Sequence, residues 1–374
     1  MKICFICETP LHILNCMNYI ANQDEFCDPE IDVYVGRKFG GSEELAQRLR
    51  ETGMVHRVYT YLFDMNHASV FEKATAIVSP RKFIANGIDG TFDPRCLDYD
   101  YVNFAFFGPM PYAMVYANKR AKVRYFEDGL GTYVGTSATA DFSLLRKALY
   151  LLTGTDYTRL FKPEALFVNN KAMCKSRATD NIRQLMPLAD ADASFLEKLF
   201  YVFDYKVNPI YAERRCVYLS RPNDSRKPEI DVMDKVIEDA LEAFSDDFVL
   251  RMHPRQKDFR VGRMLPDTTR TSWELICINE ITEDHVLVGW FSTAQVIPKF
   301  ILDKEPWLVF YYPIYQKNEK TADAAYESFD RMIEALKKRY RHPEKVIMID
   351  SVEGISAALE GIVRGAKISN VEQQ

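Results

Sequence analysis

The stretch "KICFICETPLHILNCMNYIANQDEFCDPEIDVYVG", residues 2–36, shows the unit from which the fold is built. It opens with an apolar run typical of a buried strand and closes, at residues 31–36, with a second one. Between them a helix is predicted over residues 10–23, because apolar side chains recur there with helical spacing at Leu11, Leu14, Met17 and Ile20. A strand, a helix and a strand in this order predict two parallel strands that the helix covers.

The same alternation continues along most of the chain. In the first half, further strands are predicted at 56–62, 101–108 and 122–129, and helices at 42–53, with Ser42 as the N-cap, and at 111–119. Residues 140–205 are predicted to be helical and irregular, with the clearest helices at 142–154 and 191–203. A second alternating block follows, with strands predicted at 215–222, 247–254, 284–290, 306–312 and 345–350 and helices at 229–244, 272–281, 292–303 and 321–341.

Two such blocks predict an α/β protein of two domains. The 374 residues exceed the length at which one hydrophobic core stops growing. We therefore expect two Rossmann-like domains, residues 1–205 and residues 206–374, that face each other across a cleft.

Composition excludes several classes of protein. The formal net charge of −5 argues against a general nucleic-acid binder. No run of about 18 apolar residues is present, and the apolar run at the start is too short for a signal peptide. The eight cysteines include one CxxC, Cys4 and Cys7, without a second to complete a zinc site. We expect structural thiols, no metal site and a cytoplasmic protein.

Ligands of parallel α/β sheets bind beyond the carboxyl ends of the strands. Polar residues that directly follow a predicted strand are therefore the candidates for a site. They are Glu8 to Pro10, Glu127 to Gly129, Ser220 to Asp224, His253 with Pro254, and Ser292 with Thr293. His12 follows the first strand closely enough to reach a sugar, although a structural role fits it equally well.

The acidic pair in "YFEDGLGTY", residues 125–133, raises the question of why two carboxylates stand side by side. A carboxylate at a strand end, beside a like charge and partly buried, has a raised pKa and suits a general base. Glu127 and Asp128 are therefore candidates for proton transfer, and Gly129 shapes the turn that carries them. The alternative is an acidic turn whose two side chains point to water.

Two further groups suit a departing phosphate. His253 titrates near neutrality and is restrained toward extended geometry by Pro254, so it can protonate or hydrogen-bond a phosphate. Ser292 and Thr293 open a helix, where hydroxyls and backbone N–H groups bind anions. A structural histidine and simple N-capping by Ser292 are the alternatives.

Taken together, these motifs resemble those of glycosyltransferase family 52, bacterial lipooligosaccharide and capsule sialyltransferases. "FEDGLG" resembles the family's F-D-D-G-x-G, "HPRQ" its H-P-R-Q and "FSTAQ" its F-S-x-A. "ELICINEI" also resembles the helix that precedes the family's last strand. The motifs fall in both halves of the chain. The chain departs from the family at Glu127, where the family has an aspartate, and at Thr293, where it has a small residue.

The resemblance implies a GT-B fold and metal-independent, inverting transfer of sialic acid from CMP-sialic acid to a glycan hydroxyl. It implies that His253 is the general acid, that Ser292 and Thr293 bind the phosphate, and that Glu274 binds the ribose. For the base it implies Glu127 or a residue in "SRPND", where Asp224 or Asn223 stands. No cofactor besides the donor is expected.

Other functions stay open at this stage. They are transfer of a related CMP-nonulosonate or of a hexose from a nucleotide diphosphate, non-catalytic binding of a glycan or nucleotide, and epimerisation of a nucleotide sugar. The acceptor, the linkage and a homodimer are equally open. The basic helix end at Lys337, Lys338, Arg339 and Arg341 is expected to be solvated, with peripheral contact with the inner membrane as the alternative.

Overall fold

The computed structural model describes residues 1–63, 75–90, 92–134, 156–174, 178–221, 228–253, 263–269, 271–318 and 324–371. Backbone contacts divide the chain into two units. One consists of Met1–Lys206 with Arg270–Ser272, and the other of Val207–Thr269 with Trp273–Gln374.

The first unit contains a seven-stranded sheet among its described residues. Its strands are β1 (Lys2–Cys7), β2 (Glu30–Gly36), β3 (Arg57–Tyr61), β4 (Tyr101–Phe104), β5 (Lys122–Phe126), β6 (Ala165–Val168) and β7 (Ile182–Gln184). They lie in the order β3-β2-β1-β4-β5-β6-β7, and every neighbouring pair is parallel. All carboxyl ends therefore lie at one edge of the sheet.

The described helices of this unit fall between its strands, except the last, which follows β7. They are α1 (Pro10–Asn22), α2 (Ser42–Glu51), α3 (Pro80–Gly87), α4 (Pro109–Ala117), α5 (Leu130–Val134) and α6 (Ala193–Val202). The predicted N-cap of α2 was wrong by one residue, because Ser42 begins the helix and Gly41, at φ +80°, precedes it. Only glycine adopts such a φ without strain, which explains the helix start.

The prediction for residues 140–205 was wrong in part. Strands β6 and β7 lie there and extend the sheet beyond β5. They have four and three residues, too few to show a period of two, and β6 is buried along its whole length. The predicted helix at 191–203 is present as α6, whereas the one at 142–154 lies outside the described residues.

The described part of the second unit contains a six-stranded sheet that is also parallel throughout. Its strands are β8 (Cys216–Leu219), β9 (Phe248–Arg251), β10 (Leu265–Pro266), β11 (Val286–Gly289), β12 (Trp307–Phe310) and β13 (Val346–Met348), in the order β10-β9-β8-β11-β12-β13. The helices are α7 (Ile210–Glu213), α8 (Pro228–Leu241), α9 (Trp273–Asn279), α10 (Thr293–Leu302), α11 (Tyr312–Asn318), α12 (Ala324–Lys337) and α13 (Val352–Val371).

Each sheet forms the centre of its unit. The side chains of β1, β8 and β11 are almost wholly buried, as expected for parallel strands covered on both faces. Cys4 and Cys7 lie in this core, and all eight cysteines are free. Among the described residues, no helix is long and apolar enough to cross a membrane.

Candidate functional site

The carboxyl edge of the first sheet brings together residues that are far apart in sequence. Helix α1 begins directly after β1, and the hydroxyl of its N-cap, Thr9, accepts a hydrogen bond from the His12 N–H at 3.3 Å. The acidic pair follows β5, which is separated from β1 by β4 alone. As a result, His12 Nε2 lies 2.7 Å from Asp128 Oδ1, across 116 residues of sequence.

The two ring nitrogens of His12 have different partners. The backbone N–H of Glu8 donates to His12 Nδ1 at 3.1 Å, so Nδ1 carries no proton. The proton of the neutral ring is then on Nε2, which donates to Asp128 Oδ1. The ring is buried and stacks on Phe106 with 5.9 Å between centroids. His12 therefore orients Asp128 and has no ring nitrogen left for a substrate.

Glu127, the first member of the acidic pair, lies in the core of the unit. Its side chain is wholly buried, and Oε2 accepts hydrogen bonds from the Tyr133 hydroxyl, from the backbone N–H of Asn169 at 2.8 Å and from its side-chain amide at 3.0 Å. Oε1 is buried without a hydrogen-bond partner in the described part of the chain.

Burial raises the pKa of Glu127 to about 7, against the lowering effect of the Tyr133 and Asn169 donors. The neighbouring Asp128 adds only a smaller increase. Both causes were predicted from the sequence, and burial has the larger effect on this pKa.

The exposed member of the acidic pair is Asp128, whose side chain is 49% exposed. Its backbone N–H donates to the Thr132 hydroxyl at 3.0 Å, and the next residue, Gly129, has a φ of +100° that a side chain would strain. The turn therefore holds Asp128 at the sheet edge, where a substrate hydroxyl can reach it. The fully buried carboxylate of Glu127 has no such access.

Sequence reasoning missed several neighbours of this pair. Glu8 Oε2 accepts from Lys38 Nζ at 2.7 Å and Oε1 from the Tyr61 hydroxyl at 3.1 Å. The Lys38 ammonium also lies 5.7 Å from the centroid of the Phe106 ring. Lys38 and Phe106 follow β2 and β4, so the strand-end rule could have found them. They were not counted because a lysine and a phenylalanine did not suggest proton transfer.

The carboxyl edge of the second sheet groups the other predicted residues. β8 lies between β9 and β11, so the segments that follow these strands are neighbours. The backbone N–H of His253 donates to Ser220 Oγ at 3.0 Å, which fixes the chain where it leaves β9. Ser292 is the N-cap of α10 and Thr293 its first residue.

Ser292 performs the capping that was considered as its structural alternative. Its hydroxyl accepts from the Ala294 N–H at 3.2 Å, and the Gln295 side chain accepts from the Ser292 N–H at 3.2 Å. Gln295 reaches back over Gly289, where a Cβ would come within 2.8 Å of its Oε1. The hydroxyl proton of Ser292 can still be donated to an anion, since capping uses only its lone pairs.

Glu274 lies in the first turn of α9. The indole N–H of the preceding Trp273 donates to the Ala294 carbonyl at 2.7 Å, so the beginnings of α9 and α10 are adjacent. Glu274 is thus brought near the Ser292 and Thr293 segment. The predicted residues Asn223, Asp224 and Pro254 lie outside the described residues.

No group of three or more His, Cys, Asp or Glu suited to a metal ion is found in the described ranges. A cavity of about 610 Å³ lies elsewhere, beside the segments that precede β4 and β5, and none of the predicted site residues lines it. The chemically capable side chains lie instead at the carboxyl edge of each sheet, and each edge is by itself a candidate for ligand binding.

Comparison with known proteins bears on the fold. No protein-family model and no curated protein matches the chain. Among solved structures, Arabidopsis thaliana UGT89C1 complexed with quercetin is similar, with 13% identity over 96% of this chain and 89% of that one and a TM-score of 0.53. The fold is GT-B. At this identity the likeness shows the fold alone.

Two further structures are similar at lower scores. A UDP-N-acetylglucosamine 2-epimerase has 11% identity, with 96% of this chain and 86% of that one covered, and a TM-score of 0.49. The spinosyn rhamnosyltransferase SpnG complexed with thymidine diphosphate has 9% identity, with 97% and 92% covered, and a TM-score of 0.46. These two likenesses carry no argument about the chemistry, which has to be argued from the side chains.

Proposed function

We propose that this chain is a nucleotide-sugar-dependent glycosyltransferase and, more specifically, a sialyltransferase that moves sialic acid from CMP-sialic acid to a hydroxyl of a bacterial surface glycan. One observation carries the proposal. The three motifs that resemble family 52 begin where β5, β9 and β11 end, at the carboxyl edges of two parallel sheets in a GT-B fold. Those edges are where such sheets bind their ligands.

Asp128 is the general base in this proposal. Its Oδ1 is held by His12 Nε2–H, so Oδ2 is the oxygen left to accept the proton of the acceptor hydroxyl. The acceptor oxygen then bonds to the anomeric carbon on the face opposite the leaving phosphate, and the configuration inverts. Glu127, which the resemblance implies as a base, would instead support the turn from within the core.

The second unit stabilises the leaving group in this proposal. As the bond from the anomeric carbon to the phosphate oxygen breaks, its electron pair stays on CMP and increases the negative charge of the phosphate. The Ser292 and Thr293 hydroxyls donate to that phosphate, and His253 supplies a proton to it. Glu274 accepts from a ribose hydroxyl.

A monophosphate leaving group suits these residues better than a diphosphate. The described edge offers one Ser-Thr pair at the start of α10, without a glycine-rich loop beside it. A hexose donor with a diphosphate would need a larger anion site. A related CMP-nonulosonate would fit as well as sialic acid. Measuring CMP release from each of these two donors separates them.

The test is CMP release from CMP-sialic acid, measured with and without a galactose-terminated acceptor. We expect the acceptor to stimulate release by the wild type. We expect Asp128→Asn and His253→Ala each to lower the stimulated rate by about 10²-fold or more, because each removes one acid–base group. Glu44→Gln is the matched control, since that glutamate is exposed on α2 and belongs to none of the three motifs.

Each other outcome identifies a different protein. Release from another CMP-nonulosonate but not from CMP-sialic acid would keep the mechanism and change the donor. Release of UDP from a UDP-hexose would overturn the monophosphate assignment. Binding of nucleotide or glycan without turnover of any donor would overturn the proposal that the protein is an enzyme, and conversion of a nucleotide sugar without an acceptor would indicate an epimerase.

A further inference from the structure

Two hydrogen-bond donors at the carboxyl edge of the second sheet have no acceptor among the described residues. Arg221 follows β8 and Trp290 follows β11, and these two strands are neighbours in the sheet. Arg221 Nη1 and Trp290 Nε1 are both buried, and neither finds a hydrogen-bond partner within the described ranges. Buried N–H groups without acceptors are rare and costly, so two of them together indicate an absent acceptor.

The surroundings hold the Arg221 guanidinium in place. Its Cζ lies 4.8 Å from the centroid of the Trp290 ring and 5.5 Å from that of Tyr315. Its Nε lies 3.7 Å from Asp234 Oδ2, and the Tyr315 hydroxyl donates to the other oxygen of Asp234. These ring contacts use none of the guanidinium N–H groups as hydrogen-bond donors to oxygen, so Nη1 stays available for a ligand.

The position of Arg221 points to the ligand. β8 lies between β9, which ends near His253, and β11, which ends near Ser292. Ser220, the residue before Arg221, accepts the His253 N–H. Arg221 therefore leaves the sheet between the two groups assigned to the phosphate, and its side chain keeps 17% exposure through which it can be reached.

We propose that Arg221 and the Trp290 indole N–H bind the oxygens of the donor's phosphate. This inference rests on the proposed function for the identity of the donor, but its chemistry requires only a phosphate. An arginine fork matches two phosphate oxygens, and charge-assisted hydrogen bonds are the stronger kind. Asp234 fixes the guanidinium but, at 3.7 Å from Nε, leaves Nη1 to the ligand. Arg221 would add to Ser292 and Thr293 the positive charge that their hydroxyls lack, and Trp290 would add one neutral N–H donor.

The experiment compares the binding of CMP and of cytidine by titration calorimetry. We expect Arg221→Gln to weaken CMP binding about 10- to 100-fold, the usual effect of losing a charge-assisted contact, and to leave cytidine binding unchanged. Trp290→Phe keeps the ring and removes the N–H, so a loss of a few-fold for CMP alone is expected. Arg221→Lys should recover only part of the affinity, because an ammonium cannot form the fork.

Arg215→Gln is the matched control. Arg215 precedes β8, at the opposite end of the strand, and donates only to the Asp284 carbonyl. It carries the same charge, so an equal loss of CMP binding in this variant would mean a general effect of charge. Equal losses of affinity for CMP and for cytidine in Arg221→Gln would mean that Arg221 has a structural role. CMP-sialic acid is titrated as well, and a loss of affinity confined to it would assign Arg221 to the sugar carboxylate. Any of these results overturns the proposal.

The failure of the proposed function can be told apart from the failure of this inference. If the wild type binds UMP or UDP and not CMP, the donor assignment is wrong. The comparison is then repeated with that nucleotide and uridine, and a phosphate-dependent loss in Arg221→Gln still supports the role of Arg221.

Discussion

Replacing Glu127 by glutamine should change how the stability of the protein depends on pH. In the folded protein the carboxyl group is buried with a pKa of about 7, whereas its ordinary value is 4.5. Glutamine has nearly the same shape and cannot ionise. Its side-chain oxygen can accept from the Tyr133 hydroxyl and from Asn169 as Oε2 does now.

The sign follows from proton binding. Between pH 4.5 and about 7 the folded state holds a proton on Glu127 that the unfolded state has lost. The stabilisation from this proton is complete below pH 4.5 and disappears as the pH rises through 7. A pKa difference of about 2.5 at about 1.36 kcal/mol each gives a loss of roughly 3 kcal/mol across this window.

The assay is urea unfolding of the wild type and of Glu127→Gln at pH 5, 6, 7 and 8. We expect the stability of the variant relative to the wild type to increase by roughly 2–3 kcal/mol, most of it between pH 5 and pH 7, and to level off toward pH 8. Glu44→Gln, at an exposed position, should follow the wild type at every pH. A constant difference between Glu127→Gln and the wild type would refute the reasoning, since it would mean that Glu127 is ionised throughout.

Two more changes test the local geometry. Gly289→Ala would place a Cβ 2.8 Å from Gln295 Oε1 and disrupt the capping box of α10, so a loss of about 1–3 kcal/mol is expected by urea unfolding. Gly361→Ala, in α13 with nothing within 4 Å, should be neutral or stabilising, and an equal loss there would contradict this explanation. His12→Leu should lower kcat about 10-fold or more with little change in KM for the donor, because Asp128 loses its hydrogen-bond donor. His12→Gln should recover part of kcat, because its amide can donate a hydrogen bond from the place of Nε2. A normal kcat in His12→Leu would show that His12 does not position Asp128.

Most of the strands that carry the site could be predicted from sequence. β1, β5, β8, β9 and β11 are short, strongly apolar and followed by polar residues, and each lies inside its predicted range. That these strands run parallel to one another then follows from the helices that connect them. The sequence analysis did not predict β6, β7 or α13. The two strands have only four and three residues, too few to show the alternation of a strand, and they lie in a segment that was predicted to be helical and irregular.

The roles within the site could be predicted only in part. The sequence placed Glu127 and Asp128 at a strand end but gave no means to decide which of them is buried. That depends on Tyr133 and Asn169, which approach Glu127 from α5 and from the end of β6. The partner of Asp128 is His12, 116 residues away, and a contact of that kind depends on the order of the strands in the sheet.

The adjacent carboxylates can now be explained by their different surroundings. Consecutive residues after β5 turn to opposite sides, so Glu127 enters the core while Asp128 remains at the edge. Two ionised groups so close would repel, but Glu127 keeps its proton up to about pH 7 and Asp128 faces water and His12. The pair therefore avoids the like-charge cost below about pH 7. In the proposed function this leaves the exposed Asp128 as the carboxylate that takes a proton from the acceptor.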